Sequence, residues 1–354
     1  MDLLLIFNSR GFDAGKRSKK PKTQVDKFQG EKSKTQAIIF LDYSLFFMLR
    51  FASPAIDQEY TMAVNKKKRT CGTHDGTFHA DEVTACALLV LFDLIDIDKI
   101  IRNRDPDVLA TCEFVCDLGG VYNPEQKLFD HHQIEYQGRL SSAGMVLLYL
   151  KDKEFISEQE YSLFNETLIS GVDDHDNGLD PQLYGVSTYS NIISNFTPIH
   201  YDCSREEQDV AFFEALSFSV GQLKRIYERN LYARSCSKIV SQAMEKNNLY
   251  LIFDKSIPWI DSFFSLGGID HPALFVVMPS GNHWKLRGIP PSLDDKMDVR
   301  LPLPLEWAGH LDDDLKAITG IPGAIFCHKG RFISVWETKE DALKAMEYTI
   351  SMNR

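Results

Sequence analysis

No uncharged apolar run in the sequence approaches about 20 residues, the length a membrane-spanning helix needs, which excludes a polytopic membrane protein. Gly76 and Gly119-Gly120 do not complete a GxxxxGKS or GxxxxGKT phosphate loop, and no GxGxxG or GxSxG string occurs. P-loop nucleotide hydrolysis, dinucleotide redox chemistry and elbow-type serine catalysis therefore lack their sequence signals. Cysteine is sparse, with seven in 354 residues, at Cys71, Cys86, Cys112, Cys116, Cys203, Cys236 and Cys327. An odd, scattered set reads as reduced thiols of an intracellular protein rather than a disulfide framework. Only Cys112 and Cys116 are close, and no second pair completes a zinc–thiolate set.

Positive charge is scarce in most of the chain. The net charge is −11, yet residues 1–69 hold 14 Lys+Arg against 7 Asp+Glu, which leaves residues 70–354 at −18. Such an acidic body argues against a broad surface that coats nucleic acid, though not against a local basic groove or a metal site. The first 69 residues read as an extension: a basic stretch over 10–34, then an apolar run from Ala37 to Ala52 broken by Asp42 and Arg50. The order does not suit a secretory signal. An unordered extension or an upstream start is expected, with Met62 just before Lys66-Lys67-Lys68-Arg69; an organelle transit peptide and a nucleic-acid-binding arm are the alternatives. The expected location is the cytoplasm, with mitochondrial or nuclear as the alternative.

From residue 70 the pattern alternates. Strands are expected at Arg69–Thr73, Lys99–Arg102, Phe114–Asp117 and Lys127–Phe129, and helices at Asp81–Leu94, from Ser141 to Leu150 and over 158–171. This alternation predicts an α/β domain over 70–204 with a parallel sheet and helices on both faces. A wholly helical connector follows over 205–247. Strands at Tyr250–Phe253, Ala273–Met278, Trp284–Gly288, Ala324–Cys327 and Arg331–Val335, with a closing helix Lys339–Met352, predict a smaller α+β domain over 248–354.

Chemistry concentrates in four clusters of the first domain: His74-Asp75-Gly76 through His79-Ala80-Asp81-Glu82, Asp117-Leu118-Gly119-Gly120, Asp130-His131-His132, and Asp173-Asp174-His175-Asp176-Asn177. Three follow expected strands, and ligands of open parallel sheets bind beyond the carboxyl ends of the strands. So many carboxylates and imidazoles in one crevice repel and lose hydration unless cations neutralise them. Mixed nitrogen and oxygen donors suit Mn²⁺, Fe²⁺, Co²⁺ or Zn²⁺, with Mg²⁺ possible. A carboxylate shared by two ions would suit phosphoryl-ester hydrolysis. Taken singly, each Asp or His also fits a turn or a cap.

The strings GTHDGTFHADE at 72–82, FDHHQ at 129–133, LSSAG at 140–144, DNG at 176–178, RLPLP at 300–304 and GIPGAIF at 320–326 resemble the Myg (melanocyte-proliferating-gene) exonuclease family of the DHH phosphoesterase superfamily. That superfamily also holds RecJ-type exonucleases, oligoribonucleases and family II pyrophosphatases. The resemblance implies a catalytic lobe followed by a smaller substrate-binding lobe. It also implies a metal-dependent hydrolase, a 3′–5′ exonuclease acting on single-stranded RNA or short oligonucleotides and releasing nucleoside 5′-monophosphates. A small-molecule phosphohydrolase is the alternative, and an inactive metal-binding interaction protein a third.

By the resemblance, His79, Asp81, Asp117, His131 and Asp173 match metal ligands, with Asp117 as the bridge, and His132 matches the histidine at the scissile phosphate. His74 is the further ligand, with Asp75 in competition. His79 stands where RecJ-type enzymes carry aspartate, which tilts the preference of two divalent ions from Mg²⁺ towards Mn²⁺ or Zn²⁺, Mn²⁺ being preferred. The GGGHxxAAG string of RecJ-like second domains is missing. Ser141 and Ser142, at a helix start, are read as phosphate donors or as a plain cap. Lys285, Arg287, Arg300, His328 and Lys329 are candidates for substrate contacts from the second lobe or solvated charges. Trp284 is a candidate for base stacking or strand packing.

Overall fold

Short apolar segments that cannot stand alone become strands by pairing. In the computed structural model, which describes residues 69–181, 183–295 and 298–353, β1 (Cys71–Thr73), β2 (Ile100–Arg102), β3 (Phe114–Cys116), β4 (Tyr122–Asn123) and β5 (Leu128–Phe129) form one sheet in the order β2-β1-β3-β5-β4. Four strands are parallel; β4 pairs antiparallel with β5 at the edge, so the sheet departs from the all-parallel expectation there. Tyr122-Asn123 is too short for periodicity to reveal, and β4 forms because the Gly119-Gly120 turn folds the chain back. The basic stretch over 10–34 and the apolar run from Ala37 lie outside the described residues.

Helix α1 (Ala80–Leu91), expected over Asp81–Leu94, is not buried along one apolar stripe alone. Ala80 through Leu89 are all buried, Asp81, Glu82 and Thr84 included, because the sheet, α3 and the long helix α7 enclose α1. Helix α2 (Pro106–Leu109) caps its own start through Asp105. Helix α3 (Ser142–Asp152) starts where expected, but the Ser141 side chain does not cap it. Helix α4 (Glu158–Phe164), a π-helical turn (Asn165–Ile169) and α5 (Ser170–Asp176) run in series, and α6 (Tyr189–Ser194) follows. The π turn widens the helix by one residue and so resets which side chains of α5 face α1 and α3.

Helix α7 (Arg205–Met244) is one helix of 40 residues, opened by a Ser204/Glu207 capping box. It belongs to both cores. Phe212, Ala215, Leu216, Val220 and Leu223 pack with the first sheet's helices, whereas Cys236 and Val240 pack with Leu251, Phe253, Trp259, Phe263 and Val276. The second sheet comprises β6 (Tyr250–Ile252), β7 (Phe275–Ser280), β8 (His283–Gly288), β9 (Ala324–Cys327) and β10 (Ile333–Trp336), ordered β6-β7-β8-β10-β9 and antiparallel except for β6 with β7. Helices α8 (Ile260–Ser265), α9 (Asp312–Thr319) and α10 (Lys339–Ser351) complete it, with Trp307 wedged between Trp336 and Tyr348. Among the described residues no helix is long and apolar enough to cross a membrane.

Candidate metal centre

The parallel register aligns the carboxyl ends of β1, β3 and β5, and each ends in a polar residue of the predicted set: His74, Asp117 and Asp130-His131-His132. Asp117 leaves its strand at φ 55°, in the left-handed region that a non-glycine residue enters at a cost of order 1 kcal/mol. Gly119 and Gly120 continue at φ 102° and 65°. This turn aims the Asp117 carboxylate across the strand ends and delivers the Gly120 N–H to Asp130 Oδ2 at 2.6 Å.

Three overlapping donor groups result, the ligand atoms within each lying within 4.8 Å of one another. The first is His74, His79, Glu82 and Asp117; the second Asp117, His131 and His132; the third Asp81, His131 and Asp176. Asp117 thus belongs to two groups and His131 to two. His74 Nε2 lies 3.1 Å from Glu82 Oε1 and 3.3 Å from Asp117 Oδ2. Asp117 Oδ1 lies 3.8 Å from His131 Nε2 and 3.4 Å from His132 Nδ1, and His131 Nε2 lies 2.9 Å from Asp176 Oδ2.

The electrostatics are those of excess negative charge in a dry place. Asp81 is 1% exposed, Glu82 0% and Asp117 6%. Burial, reinforced by the charges of Asp117 and Asp176, pushes the Asp81 carboxyl well above the usual range. Burial opposes charge on His74, but Asp117 and Glu82 outweigh it and lift the imidazole to about 10. The hydrogen bond to Asp176, partly offset by burial, lifts His131 to about 9. Protons on these imidazoles thus balance the carboxylates in the chain by itself. Asp117 Oδ1 is buried without a hydrogen-bond partner. An orphaned oxygen on a carboxylate that two clusters of nitrogen and oxygen donors share fits divalent cations.

The predicted residues distribute unevenly around this centre. His74, His79, Asp81, Asp117, His131 and His132 meet in the three groups. Asp75 instead faces Arg104 and Arg205. Asp173 serves the start of α3, accepting from Ser141 N at 3.0 Å, Ser141 Oγ at 2.7 Å and Gly144 N at 3.2 Å, and burial raises it to about 6. Asp81 accepts from the next two amides, Ser142 N at 3.0 Å and Ala143 N at 2.6 Å. Ser141 and Ser142 are buried, and Ser142 Oγ donates to the Phe129 carbonyl, so the protein's own acceptors occupy the donors expected to meet a phosphate. Glu82 and Asp176 join the groups although sequence reasoning assigns them no ligand role. Both lie in strings that carry the family resemblance, but only burial and helix register distinguish them from capping residues.

His132 differs from the other histidines. Its side chain is 65% exposed, and Asp130 fixes it by accepting from its backbone N–H at 3.1 Å and pairing with Nδ1 at 2.8 Å. Burial works against charge on Asp130, but the Gly120 N–H and His132 outweigh it and hold the carboxyl below its ordinary range. In the second lobe, Lys285 and Arg287 alternate with buried Leu286 and Gly288 along β8, and Arg287 lies over the Phe332 ring. Arg300 is committed locally, donating to the carbonyls of Gly268, Ile269, His271 and Ala273. The His328 ring packs on Phe332 and accepts from Gly330 N at 2.9 Å, Trp284 packs under Lys339, and Lys329 is exposed.

Comparison with known proteins supplies the family. The family model MYG1_exonuc, described as an uncharacterised protein family (UPF0160), matches residues 70–350. The MYG1 protein of Chlamydia trachomatis serovar D is 51% identical over 286 residues, covering 81% of this chain and 98% of that protein. The MYG1 exonuclease of Homo sapiens is 29% identical over 321 residues, covering 79% and 85%. RecJ of Thermus thermophilus, solved in complex with Mn²⁺, is similar at 13% identity and a TM-score of 0.25, covering 80% of this chain and 52% of that one. The chain thus spans about half the length of that RecJ. Matched over most of its length by the family model, and half identical to a relative it covers almost end to end, the protein belongs to the MYG1 family.

Proposed function

We propose that the protein is a metal-dependent phosphodiesterase, an exonuclease that degrades single-stranded RNA or short oligonucleotides from the 3′ end and releases nucleoside 5′-monophosphates. One observation carries the reading: Asp117 and His131 each join two donor groups at the carboxyl ends of three adjacent strands. The human relative's name, MYG1 exonuclease, supports the exonuclease class.

His74, His79, Glu82 and Asp117 would hold one cation, and Asp81, His131 and Asp176 a second, with Asp117 Oδ1 3.8 Å from His131 Nε2 between the two sets. Their mixed set of three imidazoles and four carboxylates favours Mn²⁺, with Mg²⁺, Co²⁺ and Zn²⁺ as alternatives. Bound divalent ions supply an activated water and neutralise charge on the phosphate. The chain's own part is to hold and to orient. Asp130 fixes His132 through Nδ1, which leaves Nε2 to face a non-bridging phosphate oxygen and, when the ring carries both protons, to donate to it. Asp81 and Asp173 brace the start of α3, so the ligands on α1 and α5 keep one spacing.

A second reading, a phosphohydrolase of dinucleotides or pyrophosphate, draws on the net −18 of residues 70–354, which disfavours long polyanions. The test is a Mn²⁺ time course on a 5′-labelled RNA of about twenty nucleotides beside a dinucleotide and pyrophosphate. A descending ladder is expected; intact RNA with rapid cleavage of a small substrate would establish the second reading.

A further inference from the structure

Three arginines gather at the exit of β2, beside the His74 end of the cluster, and none has a part in the chemistry above. The Asn103 N–H donates to the Thr73 carbonyl at 2.8 Å, which fixes that exit next to His74. Arg102 has a structural task. Its guanidinium lies between Phe78 and Phe212, donates to Asp209 Oδ1 at 2.6 Å and supports the Gly76 carbonyl. Arg104 and Arg205 differ from it in exposure, at 60% and 51%, and they come from different elements yet converge on one carboxylate, although Arg205 also donates to the Arg102 carbonyl and lies 3.9 Å from Asp209 Oδ2. Arg104 Nε lies 3.3 Å from Asp75 Oδ1 and Arg205 Nη1 3.6 Å from Asp75 Oδ2, neither as a two-pronged pair.

Stability alone gives little reason for this arrangement. Arg205 is the first residue of a 40-residue helix, where the helix dipole opposes a cation. Exposed ion pairs of this kind return little. Two half-exposed guanidinium groups nevertheless stand around Asp75, one residue from a metal-ligand candidate, on a body whose charge is −18. Guanidinium forks match phosphate oxygens, and a dianionic or backbone phosphate outcompetes one loosely held carboxylate.

We propose that Arg104 and Arg205 form a phosphate subsite, which takes the substrate phosphate neighbouring the one being cleaved, with Asp75 as the counter-ion displaced on binding. The proposal rests on the phosphodiesterase reading but is tested apart from it. Binding of a fluorescein-labelled phosphorothioate RNA of about twelve nucleotides to the full chain in Mn²⁺ is read by anisotropy across salt concentrations. Arg104→Ala and Arg205→Ala should each weaken binding about tenfold, and removing both should lower the salt slope by about 0.7 for each phosphate no longer neutralised. Asp75→Asn should tighten binding, and that gain should vanish when both arginines are absent. Turnover of bis(p-nitrophenyl) phosphate, a diester with no neighbouring phosphate, should be equal in wild type and the arginine variants. Wild-type affinity in both arginine variants, or loss of the small diester's turnover in step with RNA binding, would overturn the subsite. Failure of the wild type to cleave any diester, with the binding differences intact, would sink the phosphodiesterase reading and leave the subsite standing.

Discussion

Asp117→Asn removes one charge and almost no volume, and asparagine tolerates the left-handed backbone that Asp117 occupies at φ 55°. Two donor groups lose their shared carboxylate. A hundredfold loss of Mn²⁺ affinity is expected. At an ion concentration of about 100 wild-type Kd, wild type gains about 2.7 kcal/mol from binding, whereas the variant would sit near its own Kd and gain about 0.4 kcal/mol. At roughly 2 °C per kcal/mol for a unit of this size, the Mn²⁺-induced rise in Tm should shrink by about 5 °C. The metal-free Tm should change little, because relief of Asp81 opposes loss of the His74 partner 3.3 Å away. Turnover should fall about a thousandfold or more, equivalent to ~4 kcal/mol of barrier. The assay pairs scanning fluorimetry with RNA cleavage across a Mn²⁺ titration. A variant with more than about a tenth of wild-type turnover, or with an undiminished Mn²⁺-induced rise, would refute the shared role of Asp117, since a tenth is only ~1.4 kcal/mol.

Two further outcomes follow from the same geometry. His74 and His131, lifted to about 10 and about 9, stabilise the metal-free fold fully below the ordinary imidazole value of about 6.5 and lose that contribution as pH rises through the folded values; Asp173, raised to about 6, leans the same way at lower pH. The metal-free Tm should therefore fall from about pH 6 to about pH 9.5 while Mn²⁺ stabilises more at the alkaline end, where the ligands are deprotonated; a flat metal-free profile by calorimetry would contradict the charge balance. Gly144→Ala would place a methyl 2.4 Å from Asp173 Oδ2, so it should destabilise by about 1–3 kcal/mol despite the better helix propensity of alanine, whereas Gly171→Ala, which meets nothing within 4 Å, should be neutral or stabilising in chemical denaturation.

Much of this organisation is legible in the sequence because it is local. The short runs Cys71–Thr73 and Phe114–Cys116 announce buried strands, and a histidine or aspartate directly after such a run, as at His74 and Asp117, has few reasons to be there except a turn or a ligand. The run over 205–247, which holds no proline, announces the long helix, and the Ser204/Glu207 box that opens it is equally local. What escaped is non-local. Helix α1 is enclosed on every side because α7 and α3 come from distant parts of the chain to cover it, and no periodicity within Ala80–Leu91 records that. Glu82 looks like a capping residue, and it does accept from the His79 N–H at 3.0 Å. Its second partner, His74, emerges only once β1 and α1 are brought together.

The sharpest case is α5, where Asp173 and Asp176 lie three residues apart and composition gives no ground for choosing between them. Their neighbours follow from the register of the helix, which the π turn at Asn165–Ile169 shifts ahead of them. Asp173 then takes three donors at the start of α3, and Asp176 lies 2.9 Å from His131. The two carboxylates should respond differently to removal. Asp173→Ala strands a buried hydroxyl and two buried amides, at roughly 1–3 kcal/mol for each left unpaired, so the metal-free Tm should drop by several degrees. Asp176→Ala strands no backbone group, and relief of Asp81 opposes loss of the His131 partner, so the metal-free Tm should hold within about 2 °C. Its Mn²⁺ affinity by calorimetric titration should nevertheless fall at least tenfold, while Asp173→Ala, measured below its melting range, keeps most of it. If Asp173→Ala abolishes Mn²⁺ binding and Asp176→Ala leaves it intact, the ligand is the residue that the family resemblance names, and the α3 contacts of Asp173 describe only a resting arrangement that metal binding rearranges.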